Sequence, residues 1–575
     1  MTNIVEQIDQ QLADLLAGWN MYSTIIAVSI FGYLTYTVVN AEEPDTHPML
    51  LQRQATASMV RKPGESAIYR SSDTPHGFPL RSGLNVKEPG APAYAGGKDG
   101  DLRDIWRRVT GEIPLERPRG SSSVSLSEEA QGKIFTVFGK EEVTEHSIPD
   151  ITKELTIIGS CIKKQGATRV AIYMPNSVEF LAALFACSFF GLSPVLIPFN
   201  QSHSKVIEQL AETKADALVA QAGSLPLEEV SKAYKSLKQV IWVVEKTSRH
   251  MDWTEVPKDV GDQMDVSMWH QLVRDHQDIT SSAIPDIKSA DLPNIVTIWL
   301  DKPGSAAQVV EFTHKNLVAG IGALLVSVPL RQRLSPSDLF LSADAWTSTY
   351  PLCWTLGALF SHCSVAITSV AGPGVSLALT TRCIAPTVIV ASAESAERLH
   401  AENKASASGG LKGLAHSAQL SALDAGRMPS DSLFSRINSP HRVSLGTTPG
   451  KLRLLFISER AGAETPPLSS QDLSDLRIFT NARVVYALTA ARVAGAVAQT
   501  SVYDYRRETG SRNKHSHFGA PLSSVELKVV DSGVHKTTDE GAKGEIVVAG
   551  PSVAGGEARL GVVGKFNDDC TIAYI

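Results

Sequence analysis

Short apolar runs alternate with longer segments of helical periodicity through the middle of the chain. Residues 151–165 have apolar side chains spaced three and four positions apart, which predicts a helix. Residues 170–173 and 194–198 are apolar runs that predict buried strands, and residues 177–190 between them predict a second helix. Because strands that alternate with helices form βαβ units, the pattern predicts an α/β fold with a parallel sheet.

The alternation continues further along the chain, but two segments differ in composition. Residues 215–220, 240–244 and 452–458 predict further strands. Residues 41–127 are rich in Pro, Gly, Ser and charged side chains, so we expect them to run over the surface as a tether. Residues 404–450 are rich in Ser and Gly and predict a mobile insertion.

The uncharged stretch at residues 21–39 predicts a transmembrane anchor. At about 1.5 Å per residue a helix of this length spans about 28 Å, close to the ~30 Å hydrocarbon thickness of a bilayer. A buried core helix is the alternative. No basic residue precedes the stretch, which argues against a cleaved signal peptide and predicts that the chain from residue 41 onward faces the cytosol. We expect a membrane of the endoplasmic reticulum or a lipid droplet, or the mitochondrial outer membrane.

The first residues of the chain carry a weaker signal. Residues 1–20 have apolar side chains at helical spacing, so they predict a short amphipathic helix that rests on the bilayer. A frayed tail is the alternative.

Composition excludes some classes of function. The chain of 575 residues has a formal net charge of -6 and no basic block, so nucleic acid is not expected as a partner. Its six cysteines are scattered without a C-x-x-C pair, so we expect a reducing compartment and no metal site.

Several segments carry a resemblance to a known family. Residues 169–200 read RVAIYMPNSVEFLAALFACSFFGLSPVLIPFN, residues 311–319 read EFTHKNLVA and residues 544–553 read GEIVVAGPSV. These segments resemble the acyl-adenylate-forming enzymes of the AMP-binding superfamily. Residues 65–71 and 101–106 resemble the leading segments of fungal long-chain fatty acyl-CoA synthetases.

The resemblance implies a domain organisation. Residues 131–575 would form the family's large N-terminal domain, with parallel α/β subdomains and a small β-rich subdomain. An amphipathic segment at 1–20, an anchor at 21–40 and a tether at 41–130 would precede it. The family's mobile C-terminal lid domain, which supplies the adenylation lysine, would follow Ile575, so we expect that domain to be absent.

The family's phosphate loop is altered in this chain. In the family it reads approximately T-S-G-[ST]-T-G-x-P-K-G, and the aligned residues 300–309 read LDKPGSAAQV. Asp301 brings a negative charge towards the phosphates, and Pro303 removes an amide donor. Gly304 and Ser305 remain as candidate nucleotide-binding positions.

Other nucleotide-site positions also depart from the family pattern. Gln308 stands where the loop lysine is expected, Ala490 where a carboxylate would hold magnesium, and Val562 where an Asp would bind the ribose. Tyr486 and Thr489 match the family signature and are candidate nucleotide contacts. The alternative for Tyr486 is a structural side chain packed at the end of a strand.

A third nucleotide-site motif has also changed. Where the family has a Gly-Gly-Ala turn beside the adenine, residues 459–462 read ERAG.

The acyl site is expected further along the chain. Residues 340–359 read FLSADAWTSTYPLCWTLGAL and resemble the family segment that leads into the acyl pocket, with Trp354 in place of a histidine. We expect an apolar groove or interaction surface beside Tyr350, with Trp354 at its neck. The alternative is a former tunnel that has collapsed into ordinary core.

Together these changes predict a membrane-anchored, long-chain acyl-CoA synthetase-like pseudoenzyme, which acts as a binding or scaffold protein in lipid metabolism. Fatty acyl lipid or proteins are its expected partners, and no catalytic residue, metal or cofactor is assigned. The alternative is an active long-chain fatty acid–CoA ligase that uses ATP, Mg²⁺ and CoA. A nucleophile-type hydrolase has no support, because the chain has neither G-x-S-x-G nor H-E-x-x-H.

Overall fold

The structure is a computed structural model. It consists of two compact units, Met1–Thr46 and His47–Ile575. The residues that it describes are 17, 19–39, 43–87, 91–92, 94–113, 132–138, 142–244, 264–279, 284–300, 307–404, 410–429, 445–448, 451–507, 515–538 and 541–575.

The described strands form three sheets. In chain order the strands are β1 (Ala55–Ala57), β2 (Tyr69–Ser71), β3 (Ile134–Phe138), β4 (Glu142–His146), β5 (Arg169–Tyr173), β6 (Ser193–Leu196), β7 (Ala217–Gln221), β8 (Gln239–Val243), β9 (Asp265–Met268), β10 (Ile295–Trp299), β11 (Gln308–Phe312), β12 (Leu339–Ser342), β13 (Ser364–Thr368), β14 (Val388–Ser392), β15 (Leu454–Arg460), β16 (Arg483–Thr489), β17 (Ala498–Gln499), β18 (Ala520–Pro521), β19 (Glu526–Val530), β20 (Lys543–Ala549), β21 (Glu557–Phe566) and β22 (Ile572–Tyr574).

The described α-helices are α1 (Met21–Val39), α2 (Pro48–Gln52), α3 (Leu102–Val109), α4 (Ile148–Lys164), α5 (Val178–Phe190), α6 (His203–Thr213), α7 (Leu227–Ala233), α8 (Trp269–Asp275), α9 (His314–Ser327), α10 (Thr349–Phe360), α11 (Leu377–Thr380), α12 (Ala393–Lys404), α13 (Gly410–Asp424) and α14 (Ser470–Thr480).

The N-terminal unit contains α1, which the Asn20 side chain caps by accepting hydrogen bonds from the backbone N–H groups of Tyr22 and Ser23 at 2.9 and 3.0 Å. Among the described residues, no helix is both long enough and apolar enough to cross a membrane. The transmembrane anchor predicted at residues 21–40 is therefore not supported. Its stretch lacks charge but is not uniformly apolar, because hydroxyl-bearing side chains such as Ser29 and Tyr33 interrupt it.

Two predictions about this end of the chain are not tested. Residues 1–16, which carry most of the predicted amphipathic segment, lie outside the described residues. The predicted cytosolic orientation stays a prediction.

A seven-stranded sheet confirms the α/β prediction. Its order is β11-β10-β6-β5-β7-β8-β9, and every pair is parallel except β10 with β11. The predicted helix at residues 177–190 is α5, where the Ser177 hydroxyl accepts from the N–H of Phe180 at 3.1 Å and Gly191 ends the helix with φ +63°.

A nine-stranded sheet contains most of the C-terminal half of the α/β region. Its order is β18-β17-β16-β15-β14-β12-β13-β3-β4. The strands from β16 to β3 run parallel, and antiparallel pairs lie at both edges. The predicted strand at residues 452–458 is β15, whose neighbours are β14 and β16.

A six-stranded antiparallel sheet of order β1-β2-β19-β20-β21-β22 corrects the prediction of a tether at 41–130. Strand β2 pairs with β19, the Arg70 guanidinium lies 2.7 Å from Glu526, and the ring of Tyr69 stacks on Phe566 at 3.6 Å. Two strands of the expected tether therefore complete a sheet whose other strands come from the far end of the chain.

Helix α3 lies in the same expected tether and is part of the core. A capping box starts it, because Asp101 accepts from the N–H of Arg103 while Asp104 accepts from the N–H of Asp101. The buried Trp106 packs on Phe185 of α5, with ring centroids 4.9 Å apart. The part of the predicted tether that forms α3 is therefore folded, because its large apolar side chains are buried in the core.

The expected mobile insertion at 404–450 contains α13, which is packed. His416 of α13 and His400 of α12 both lie 3.0 Å from the carboxylate of Asp475 on α14, so one carboxylate joins three helices. These contacts hold the pKa of Asp475 well below its usual range, although burial opposes them. Part of this segment is therefore a helix rather than a mobile loop.

Candidate functional site

A cavity of about 1110 Å³ lies where strands of the two larger sheets end. Residues at or just beyond the carboxyl ends of β5, β6 and β10 form one wall, including Asn176, Phe199 and Trp299. Ligands of open α/β sheets bind beyond the carboxyl ends of the strands, and a cavity of this size suits an organic ligand.

The opposite wall comes from the nine-stranded sheet. Residues that follow β12, β13, β14 and β15 contribute, among them Ser348, Val375 and Glu394. Arg460, the last residue of β15, also lines this wall. The cavity therefore lies at the strand ends of both sheets.

In the sequence the altered phosphate loop follows β10 and leads into β11. Trp299 and Leu300, on the near side of the loop, line the cavity. Gln308 pairs with Trp299 across the hairpin, and its side chain is exposed. The candidate positions Gly304 and Ser305 lie outside the described residues, as does Asp301.

Glu459 and Tyr486 form a buried hydrogen-bonded pair behind the wall. The Tyr486 hydroxyl donates to Glu459 Oε2 at 2.6 Å and accepts from the N–H of Leu468 at 3.1 Å. Burial raises the pKa of Glu459 to about 8, which the Tyr486 hydrogen bond opposes. Burial and the neighbouring Glu459 raise the pKa of Tyr486 well above its ordinary value.

The candidate position Thr489 belongs to the same group. Its hydroxyl donates to the backbone carbonyl of Glu459 at 2.8 Å, and the side chain is buried. Neither Tyr486 nor Thr489 lines the cavity. The structure therefore brings these two predicted residues together on Glu459, away from the cavity.

Arg460 points to the other side of the strand. Its Nη2 donates to Ser348 Oγ at 3.2 Å and lies 3.9 Å from Asp344 Oδ1, while the guanidinium carbon lies 5.8 Å from the ring centroid of Trp299. Trp299 belongs to the seven-stranded sheet, so this arginine reaches the line where the two walls meet.

The positions that would hold magnesium and ribose offer no polar side chain. Ala490 is buried just after β16, and Val562 is half-buried on β21, where it packs against the main core. Among the described residues, no group of three or more His, Cys, Asp and Glu side chains is placed to hold a metal ion.

Tyr350 and Trp354 lie in the core and not on the cavity. Both side chains are buried; Trp354 stacks on Phe456 with ring centroids 4.0 Å apart, and the Tyr350 hydroxyl donates to Gln499 at 3.1 Å. The expected groove beside Tyr350, with Trp354 at its neck, does not coincide with the cavity. The Trp354 ring packs against a core strand instead.

Sequence reasoning missed Arg460 and Lys205 as cavity residues. In the sequence Arg460 belongs only to a changed turn, and Lys205 in the first turn of α6 has no motif around it. One signal was present: a basic residue directly after the buried run LLFISE marks the carboxyl end of a central strand. The sequence does not indicate which cavity wall the Arg460 side chain belongs to.

A model of the AMP-binding enzyme family matches residues 129–292 and 308–556. The two matched segments together cover well over half of the chain. The stretch between them, residues 293–307, contains β10 and all but the last two residues of the altered phosphate loop. The match therefore breaks at the loop where the sequence departs most from the family pattern.

Solved structures share the fold at low sequence identity. A long-chain-fatty-acid-CoA ligase from Archaeoglobus fulgidus superposes with a TM-score of 0.56 at 14% identity, covering 87% of this chain and 86% of that one. An anthranilate CoA ligase in complex with anthranoyl-AMP gives 0.54 at 14% identity, covering 85% and 79%. A luciferase-like enzyme from the nonluminescent Zophobas morio mealworm gives 0.56 at 13% identity, covering 86% and 98%. No curated protein sequence matches the chain significantly.

Proposed function

The chain belongs to the AMP-binding enzyme family, and we propose that it is a non-catalytic member that acts as a binding or scaffold protein. The hydrogen bond between Tyr486 and Glu459 carries the proposal. The family resemblance places the Tyr486 ring near the nucleotide, but here the ring is fully buried and its hydroxyl lies 2.6 Å from a carboxylate oxygen. A ring held in the core in this way is not available to a nucleotide.

Three further positions support the loss of adenylation. Gln308, Ala490 and Val562 stand where a lysine and two carboxylates would bind phosphate, magnesium and ribose. A contact that stabilises a transition state is often worth ~3 kcal/mol, so the loss of several leaves little catalysis. The protein would therefore need no ATP, Mg²⁺ or CoA, and its partners would be fatty acyl lipid or other proteins.

The test is ATP–pyrophosphate exchange by the full chain with oleate or palmitate, compared with a mock purification. We expect no exchange above the mock. We also expect no thermal stabilisation by Mg-ATP, although a bound ligand at 100 times its Kd would contribute about 2.7 kcal/mol. The proposal fails if exchange appears and Gly304→Asp, which places a carboxylate in the phosphate loop, abolishes it.

The second candidate function is an active long-chain fatty acid–CoA ligase. The observation that favours it is the cavity of about 1110 Å³ at the strand ends, which is large enough for an organic substrate and lined by two cationic side chains, Lys205 and Arg460. The same exchange assay decides between the two candidates, because only the ligase forms an adenylate.

A further inference from the structure

Three highly exposed apolar side chains lie on neighbouring connections of the small antiparallel sheet. Met59 and Val60 belong to the connection from β1 to β2, and Val534 belongs to the connection from β19 to β20. Their exposed fractions are 103%, 80% and 85%. Because β2 pairs antiparallel with β19, both connections lie at the same end of the sheet. We call residues 58–64 and 531–537 the tip surface.

Hydrogen bonds hold the two connections side by side. The N–H of Asp531 donates to the carbonyl of Gly64 at 2.9 Å. The Arg61 guanidinium donates to the carbonyl of Thr537 at 3.3 Å. The apolar side chains of both connections therefore form one group. A single exposed aliphatic side chain is common on a protein surface, but such a group with polar neighbours marks an interaction site.

A tight turn keeps Val534 at the outermost point of its connection. Ser532 and His535 exchange both backbone hydrogen bonds, at 3.1 and 3.0 Å, so Gly533 and Val534 form a two-residue hairpin loop. Gly533 has φ +56°, which residues with a side chain rarely adopt. In a loop this short the valine side chain has no path back to the core, so it projects from the sheet.

Cationic side chains accompany the apolar ones. Arg61 and Lys62 are exposed, and neither forms an ion pair with a described carboxylate. Lys536 on the other connection is 51% exposed. The acidic side chain of the tip surface, Asp531, accepts hydrogen bonds from the N–H and the hydroxyl of Thr537 at 2.8 and 2.9 Å. Three cationic side chains stand against one acidic one, so the tip surface is positive.

We propose that the tip surface docks on an anionic lipid bilayer. Met59, Val60 and Val534 enter the boundary between head groups and acyl chains, while Arg61 and Lys62 contact the lipid phosphates. A bilayer accepts projecting aliphatic side chains without a matching pocket, whereas a protein partner needs one, and the neighbouring cations complement anionic head groups. None of these side chains lines the cavity, so the proposal goes beyond the proposed function.

The experiment measures backbone hydrogen exchange of the full chain by mass spectrometry of peptides. Vesicles of phosphatidylcholine with phosphatidylserine are titrated into the protein, and vesicles of phosphatidylcholine alone are the comparison. Residues 58–64 and 531–537 should exchange more slowly as anionic vesicles are added. The vesicle concentration that gives half of this protection measures the affinity. Because the readout is local, it separates docking by the tip surface from any binding through the exposed helix α1.

Substitutions test the two parts of the surface separately. Met59→Asp combined with Val534→Asp should raise the half-protection concentration at least about tenfold, because burial of one such aliphatic side chain contributes about this factor. Lys62→Gln should raise it about fivefold for anionic vesicles only. Leu379→Asp is the matched control, because Leu379 is 64% exposed on α11 and lies outside the tip surface. This control should keep the wild-type concentration.

The proposal is overturned if anionic vesicles leave exchange unchanged in both connections, whether or not the chain sediments with them. It is also overturned if the folded double variant keeps the wild-type half-protection concentration. Protection that appears without vesicles as the protein concentration rises would assign the surface to a second copy of the chain, and protection by polyglutamate alone would assign it to an acidic protein. Each of these results leaves the ATP–pyrophosphate exchange assay unaffected, so the proposed function stands or falls separately.

Discussion

Glu459→Gln should make the protein more stable at alkaline pH. The Glu459 carboxyl is buried, and its pKa of about 8 lies above the ordinary value of 4.5 because burial disfavours the charged form. Between these two pH values the folded state keeps the proton while the unfolded state loses it, so the free energy of unfolding falls as pH rises. Above about pH 8 the folded state holds an ionised buried carboxylate, and the loss is complete.

The magnitude follows from the two pKa values. The interval from 4.5 to about 8, at 1.36 kcal/mol for each pKa unit, gives a loss of up to about 5 kcal/mol. Glutamine resembles the protonated acid: its amide oxygen can accept the hydrogen bond from Tyr486, and it never ionises. The variant should therefore match the wild-type chain near pH 5 and exceed it by several kcal/mol near pH 9.

Urea denaturation of the full chain, followed by circular dichroism from about pH 5 to about pH 9, measures the difference. Glu464→Gln is the matched control, because Glu464 is an exposed glutamate just beyond the end of β15 and makes the same change of charge. The control should follow the wild-type pH dependence. If Glu459→Gln also follows it, with the two curves parallel from acid to alkaline pH, the folded state does not raise the pKa of the Glu459 carboxyl.

Two further predictions concern the packing around the site. Trp354→Ala should lower the free energy of unfolding by about 3–5 kcal/mol, because removing a fully buried ring that stacks on a core strand leaves a cavity. Urea denaturation measures this loss, with Trp19→Ala as the control because Trp19 is exposed. A loss below about 1 kcal/mol would contradict the prediction. Asp475→Asn should speed hydrogen exchange in α13, because His400 and His416 lose their shared carboxylate. In the wild-type chain the same contacts should weaken as pH falls through the depressed pKa of Asp475. If exchange in α13 is equal in the variant and the wild type, Asp475 does not hold this helix in place.

The sequence predicted the parallel α/β core because strands such as β5 and helices such as α5 carry strong apolar patterns and clear ends. It failed for β1 and β2, since three-residue strands are too short to show a period and their partner lies far along the chain. It failed for α13 because that helix buries only a narrow stripe of Ala415, Gln419 and Leu423, which a Ser- and Gly-rich composition conceals.

The candidate site was predictable only in part. Family motifs located Tyr486 and Thr489, and both lie together on Glu459. A sequence motif does not indicate on which face of β15 a side chain lies. The structure was therefore needed to show that Glu459 is buried whereas Arg460 lines the cavity. Alternation along a strand places successive residues on opposite faces, which explains why these neighbours have different environments.

The small antiparallel sheet constrains the order in which the protein can be made. The hydrogen bond between Arg70 and Glu526 joins residues 456 positions apart, so β1 and β2 leave the ribosome long before β19 exists. The seven-stranded sheet ends at Phe312 and can form while the rest of the chain is still being translated. During that interval the early strands have unpaired edges, and a chaperone that covers these edges would protect them. Any truncation before residue 526 removes their partner and leaves the nascent N-terminal strands as a site for aggregation.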